Sequence, residues 1–332
     1  MEIIADALVF LSTLYLKGIH ADALPYLYET PEFAVHLPLP KNIPTTQQTD
    51  QWAAEHYQLF GMNVYPYASA FLEPDGMLGG PVTESVLHFY QSGGFTPPTQ
   101  SEAPDHIAHE LLFLAHCGTL AAKAAEGQNG ASQKQIVQIH LLQTRFLQEH
   151  LTLWLPVFTH AIIRQGNRFY ATLAELTLDL VNTYAQLLSA TRLEIQPILP
   201  IPPRAGLLEN PETRLRDIAR FLLTPFDSGL YLSRETIAHL GRTTRLPRGF
   251  GDRTQILSNL FHSAVDYDQL PEVLNLLDAE IGDWLAYYEH LKNEYPTMAF
   301  SANFWRARVQ TARNITGEMH KELVNSRERS KK

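Results

Sequence analysis

The pair Asp105-His106 stands at the head of a helical pattern, directly after a loop rich in Gly and Pro, and His109, Glu110 and His116 follow within three turns. Three kinds of chemistry fit such a group. An Asp at a helix start caps free N–H groups or meets the positive end of the helix dipole. The carboxylates of Asp105 and Glu110 can receive an arginine from a partner. Imidazoles and a carboxylate at i, i+4 and i, i+7 spacing can gather a metal ion. Helices that bind metal usually pair two ligands at one tight spacing with a third from elsewhere, so this group is read as histidines on a polar flank and no metal is expected. Cys117, the only cysteine, leaves no intrachain disulfide or thiolate cage and reads as a small core residue.

Two aromatic blocks flank this stretch. Upstream, Tyr57-Gln-Leu-Phe leads into Tyr65-Pro-Tyr67-Ala-Ser, with Phe71 close behind; downstream, His150-Leu-Thr-Leu-Trp154-Leu-Pro-Val-Phe158 is equally dense. Aromatic side chains offer large contact area at low entropy cost, which suits peptide anchors as well as cores. The sequence holds no Gly-rich phosphate loop ending in Lys-Ser/Thr, no dinucleotide fingerprint, no His-Glu-x-x-His and no nucleophile elbow. It is therefore read as a non-enzyme with no cofactor of its own.

The elements that must position these residues are helical throughout. Apolar residues recur at i, i+3, i+4 and i+7 over 3–16, 50–60, 81–91, 105–124, 133–163, 168–193, 211–223, 233–241, 252–264, 270–293 and 302–324, with no set of alternating runs. The fold class is all-α. In the helix from Asp105, the pattern predicts a buried stripe of Ile107, Leu111, Leu114 and Gly118, with His106, His109, Glu110 and His116 at its flanks. Pro156 is expected to kink or end the long pattern 133–163. Phe33–Thr49 and Glu73–Pro81 read as irregular, and the terminal Arg327-Glu-Arg-Ser-Lys-Lys as frayed.

Five prolines between Gln196 and Pro211 mark a linker. The expected organisation is a helical domain over 1–195, the Pro-rich linker 196–211 and a helical extension over 212–332 that can pack on the first domain. Charge divides the same way. Residues 1–203 carry 8 Lys/Arg against 18 Asp/Glu, a net −10, whereas residues 204–332 carry 18 against 17, a net +1. Acidic surfaces repel phosphate backbones and attract basic peptides, although plain solubility explains many of them. The acidic start Met1-Glu-Ile-Ile-Ala-Asp lacks the positive region of a secretory signal, the apolar run Ala7–Leu11 is too short to span a bilayer, and no Arg-Arg pair occurs. A cytoplasmic protein without a membrane span is expected.

Taken in order, Tyr57 to Ser69, Pro104 to Leu114 and His150 to Phe158 resemble the TorD/DmsD/NarJ family of molybdoenzyme maturation chaperones over roughly residues 50–190. The resemblance implies a TorD-like helical bundle that binds the twin-arginine signal peptide, the apo catalytic subunit of a molybdopterin oxidoreductase, or both, and holds the client for cofactor insertion. It puts the family's Asp-His loop on Asp105 and His106 and its helix glutamate on Glu110. The segment from Gly229-Leu-Tyr-Leu-Ser-Arg to Leu246-Pro-Arg-Gly-Phe-Gly is similar to that of longer members.

A cationic and apolar client calls for carboxylates beside an apolar groove. Asp105, Glu110 and the loop acids Asp75, Glu84 and Glu102 are the expected charges, and Tyr65, Tyr67, Trp154 and Phe158 the expected lining. An alternative reading rests on Ser233 to Arg248, which resembles a short helix-turn-helix whose Arg234, Arg242, Arg245 and Arg248, with Arg253, can meet phosphates. The near-neutral balance of that half weighs against nucleic acid. A homodimeric or purely structural scaffold is the remaining possibility.

Overall fold

The computed structural model describes residues 2–37, 44–99, 101–126, 130–189 and 207–330. They are helical, and the only β pairing among them is an isolated antiparallel bridge between Tyr67 and His106. Contacts divide the chain into two compact units, Met1–Glu73 with Met77–Leu199 and Pro74–Gly76 with Pro200–Lys332. Most of the expected linker, 196–206, lies outside the described residues; Leu207–Glu209 form a single 3-10 turn.

The first unit contains α1 (Glu2–Lys17), α2 (Leu24–Glu29), α3 (Pro31–Ala34) and α4 (Thr46–His56), the last running into a π-helical segment over Tyr57–Asn63. Then come α5 (Ser69–Leu72), α6 (Pro81–Ser92), α7 (Ile107–Glu126), α8 (Gly130–Phe146), a second π-helical segment over Leu147–Leu151, α9 (Thr152–Ile163) and α10 (Arg168–Ser189). α1 packs along α7, α7 along α8, and α9 along α10. Leu8, Leu11, Leu14 and Tyr15 of α1, Leu111 and Leu114 of α7, and Leu173, Val181 and Tyr184 of α10 are buried. The short helices α2 and α3 start at or beside a proline whose missing N–H costs nothing in a first turn. Too short to display a period, they fall in or next to a stretch that the sequence reads as irregular.

Pro156 does not end its helix: α9 continues through it. Its ring crowds the carbonyl of Thr152, four residues back, and Thr152 is the first residue after the wide π turn. The departure from α geometry is thus displaced to Leu147–Leu151, where the Thr152 hydroxyl donates to the Leu147 carbonyl at 2.7 Å.

The second unit contains α11 (Leu215–Leu223), α12 (Pro225–Ser228), α13 (Arg234–Thr244), α14 (Arg253–Asp266), α15 (Leu270–Glu294) and α16 (Ala299–Ser330). α15 and α16 lie along each other, with Trp284, Tyr288 and Trp305 fully buried. α16 runs on through Arg327–Ser330, which the sequence reads as frayed. Gly229 has φ +75°, and a Cβ there would sit 2.6 Å from the Trp305 carbonyl oxygen, so this crossing admits only glycine. Its carbonyl accepts from the Tyr288 hydroxyl at 2.9 Å.

The suggested helix-turn-helix over Ser233–Arg248 holds one helix, α13, capped by Ser233; the next helix, α14, starts only at Arg253, after its cap Asp252. Its arginines are largely committed within the unit. Arg248 donates to the Ala238 carbonyl, Arg253 donates to the Leu232 carbonyl and lies over the Tyr231 ring, and Arg242 pairs with Glu235. Guanidinium groups engaged in this way are poorly placed to track a phosphate backbone.

Candidate functional site

The three sequence blocks meet inside the first unit. Backbone pairing joins the first two: the Ala68 N–H donates to the Asp105 carbonyl at 3.0 Å, and the Ile107 N–H donates to the Pro66 carbonyl at 2.9 Å. The bridge fixes the Pro-Tyr-x-Ser turn against the start of α7.

Asp105 caps a helix, though not its own. One carboxylate oxygen, Oδ2, accepts from the backbone N–H of Ser69 at 2.9 Å, the first residue of α5, while Oδ1 is buried without a partner. A carboxylate at a helix N-terminus meets the positive end of the dipole, and a hydrogen bond to a charged group contributes about 1.5–3 kcal/mol. The cap on α7 falls to His106, whose Nδ1 accepts from the Ala108 N–H at 3.1 Å. That bond makes Nε2 the protonated nitrogen of a neutral ring. Burial, reinforced by His109 and His56, pushes the His106 pKa down to about 3, in keeping with a ring that stays neutral.

A second carboxylate repeats the device. Glu73, just past α5, accepts from the Val82 N–H at 2.7 Å in the first turn of α6, and Ser69 Oγ accepts from the Gly79 N–H at 3.1 Å. Gly80, with φ +79°, leaves room for the carboxylate; a Cβ there would approach Glu73 Oε1 to 3.1 Å. Sequence reasoning passed over Glu73 as a site residue because its acceptor role is nonlocal. The turn glycines before Pro81 were the available signal.

Glu110 is fully buried, which corrects its expected place on a polar flank. Its Oε1 lies 2.8 Å from His150 Nε2, and its Oε2 accepts from Trp154 Nε1 at 3.1 Å. Desolvation raises the Glu110 pKa, and the two donors oppose that rise. The third block is thereby joined to the second through one carboxylate. Trp154 and Phe158, expected to line a groove, are both fully buried. Trp154 packs on Phe71 (centroids 5.6 Å apart), and Phe158 packs on Phe71 (5.8 Å), Tyr15 (5.8 Å) and Phe60 (6.4 Å). The apolar stripe of α7 is therefore wider than its leucines suggest, because buried partners satisfy both carboxylate oxygens of Glu110 and one of the two ring nitrogens of His109.

The four side chains weighed as metal ligands are engaged separately. His109 Nδ1 donates to the Ala103 carbonyl at 3.0 Å, leaving Nε2 buried without a partner, and His116 Nε2 donates to the Gly93 carbonyl at the end of α6 at 3.0 Å. Among the described residues, no three His, Cys, Asp or Glu side chains are grouped to hold an ion.

The accessible part of the constellation is the Tyr65–Tyr67 turn. Both tyrosines are half-buried; the Tyr67 hydroxyl donates to Glu102, and its ring meets His106 edge-on at 5.1 Å. Burial and the neighbouring carboxylates raise the Tyr67 pKa, so it remains a neutral donor. Of the other acids expected in loops, Asp75 and Glu84 are exposed, Glu84 in the first turn of α6. Cys117 is buried, and desolvation pushes its thiol up to about 12, leaving it unreactive. Among the described residues no helix is long and apolar enough to cross a membrane.

Residues 23–160, which contain all three blocks, match the family model described as nitrate reductase delta subunit. Proteins named chaperone protein TorD are similar to the same chain. That of Vibrio cholerae serotype O1 (strain ATCC 39541) is 29% identical over 118 residues, covering 35% of this chain and 50% of the relative. That of Vibrio vulnificus (strain CMCP6) is 32% identical over 95 residues, covering 28% and 41%, and that of Psychrobacter sp. (strain PRwf-1) is 28% identical over 153 residues, covering 44% and 66%. The chain spans about half the length of the Vibrio cholerae relative.

Proposed function

We propose, from the match of residues 23–160 to the nitrate reductase delta subunit model and the similarity to proteins named chaperone protein TorD, that this protein is a system-specific chaperone of the TorD/NarJ family for a molybdopterin oxidoreductase. It binds the apo catalytic subunit, its twin-arginine signal peptide, or both, and holds the client until the cofactor is inserted. The observation that carries this reading is the match over 23–160, whose three blocks converge on one interlocked set of residues. The work is binding rather than catalysis, in a cytoplasmic setting where the client is still unexported.

In this reading the constellation divides by depth. Tyr65, Tyr67 and Glu102 meet the client at the turn, offering aromatic faces and a carboxylate already hydrogen-bonded to a phenol. Asp105, His106 and Glu110 act from beneath as positioning residues, and Trp154 and Phe158 supply the packed floor. A client that entered as far as Trp154 would first have to break the Glu110 bonds, so recognition belongs to the rim.

The test is co-purification from the native host. A tagged chain is expected to bring down a molybdopterin oxidoreductase catalytic subunit that lacks its cofactor, identified by mass spectrometry and metal analysis. Recovery of only cofactor-loaded enzyme, or of none, overturns the proposal. Salt-sensitive retention on nonspecific DNA, with no reductase present, supports the regulator instead.

A further inference from the structure

A second surface of the first unit has the chemistry that the buried carboxylates cannot offer. α1 turns one face to α7, burying Leu8, Leu11 and Tyr15, and presents another to solvent. Between that outer face and the α2–α3 turn lies a groove of about 630 Å³, lined by Val9, Phe10 and Thr13 on one side and by Ala23, Tyr26 and Thr30 on the other. Phe10 forms its floor, 5.9 Å from the Tyr26 ring and 6.4 Å from the buried Phe33. Apolar surface here stays open to water: Tyr26 is 62% exposed, Val9 43%, and Ile3, two turns before Phe10 on α1, 85%.

The rim is acidic. Asp6, Asp22 and Glu29 border the groove, all three are exposed, and none makes an ion pair among the described residues. No Lys or Arg lines it, and residues 2–37 as a whole hold five carboxylates against the single Lys17. Unpaired carboxylates around an open aromatic floor attract cations, and the floor rewards an apolar neighbour of the cation.

We propose that the α1–α2 groove docks a peptide segment in which adjacent basic residues precede an apolar stretch. Resting on the chaperone reading above, this groove is the surface that takes the client's cationic segment. The apolar side chains lie over Phe10 and Tyr26, and the basic side chains reach Asp6, Asp22 and Glu29. The Tyr65–Tyr67 turn is left for the folded part of the client. Because the rim charges remain in water, they set the association rate and salt sensitivity, while the floor sets residence time.

Fluorescence anisotropy of the full chain decides it, using a labelled synthetic peptide with two adjacent arginines followed by ten Leu and Ala residues. The combined variant Asp6→Asn, Asp22→Asn and Glu29→Gln is expected to bind about tenfold more weakly and with a flatter salt dependence, at unchanged melting temperature. A second variant, Val9→Lys, places a cation on the groove wall and is expected to abolish binding. Wild-type affinity in both variants overturns the groove while leaving the chaperone reading intact, and so does failure of the wild-type chain to bind the peptide when it still captures the apo-reductase. Loss of a dimer in the combined variant, with peptide affinity unchanged, assigns the groove to a second copy of the chain and overturns the proposal as well. Loss of reductase capture by the wild-type chain is the separate failure of the chaperone reading.

Discussion

Asp105 carries the sequence's strongest signal, and its role shows how an ambiguous residue resolves. A helix-start Asp is normally judged by its own helix, yet this one accepts from Ser69, 36 residues earlier. Asp105→Ala is expected to destabilise the first unit by about 1–3 kcal/mol, since it leaves a buried N–H without an acceptor; urea unfolding followed by tryptophan fluorescence measures this. A loss below that range would mean that water or a neighbour replaces the carboxylate. His106 gives a pH signature. Its folded pKa lies near 3 against an ordinary 6.5, so between those values the unfolded chain binds a proton that the folded chain excludes. Stability contributed by this ring is complete above pH 6.5 and is lost as pH falls toward 3, at a limiting slope of about 1.4 kcal/mol per pH unit. His106→Asn, which keeps an acceptor near the Ala108 N–H, is expected to lose less stability than the parent between pH 7.5 and 5.0. Parallel losses would assign the dependence to the other depressed histidines, such as His56 and His160.

The long helices were readable because their apolar faces repeat for three turns or more; α1, α6, α7, α10 and α15 fall within a few residues of their expected limits. The four-residue α5 was not readable. No isolated four-residue helix is stable in water, so its existence depends on acceptors supplied from elsewhere, which local periodicity does not encode. The same limit explains the site. Sequence order placed Asp105, Glu110 and the two aromatic blocks in one constellation, whereas depth followed from which partners they found in space. Glu110 reads as a flank residue until His150 and Trp154 are brought to it. Glu73 offers the element-scale test, because its carboxylate meets the first turn of α6. Glu73→Gln keeps an acceptor and removes the charge, for an expected cost of about 0.3–1 kcal/mol, and Glu73→Ala is expected to cost about 0.5–2 kcal/mol. Hydrogen exchange should speed up first at Val82 and its neighbours; uniform acceleration across the unit would refute a local capping role.

The whole chain combines an acidic unit with a near-neutral one, each with its own buried core. From sequence, a domain over 1–195, a Pro-rich linker over 196–211 and an extension over 212–332 are expected; residues 190–206 lie outside the described ones. Independent cores are expected to give two calorimetric transitions. Gly229→Ala identifies the second, since its φ of +75° and the approach to a backbone carbonyl leave no relief by side-chain movement. The variant is expected to lower one transition by several degrees and leave the other in place. A single transition that shifts as a whole would mean that the units unfold together. Arg308 shows why the second core was harder to read. A charged residue in no apolar pattern, it is buried over the Phe304 ring at 3.6 Å with its Nε–H donated to the Phe226 carbonyl, and burial lowers its pKa to about 10.

The cap that Asp105 places on α5 also orders events in time. A ribosome delivers residues 69–72 well before residue 105, so the Ser69 N–H emerges with no intended acceptor. Until α7 begins to form, the Pro-Tyr-x-Ser turn has neither its backbone bridge nor its helix, and Tyr65 and Tyr67 have no fixed geometry. A nascent chain of this protein stalled before residue 105 therefore lacks an ordered Tyr65–Tyr67 turn, which is completed only with the synthesis of α7.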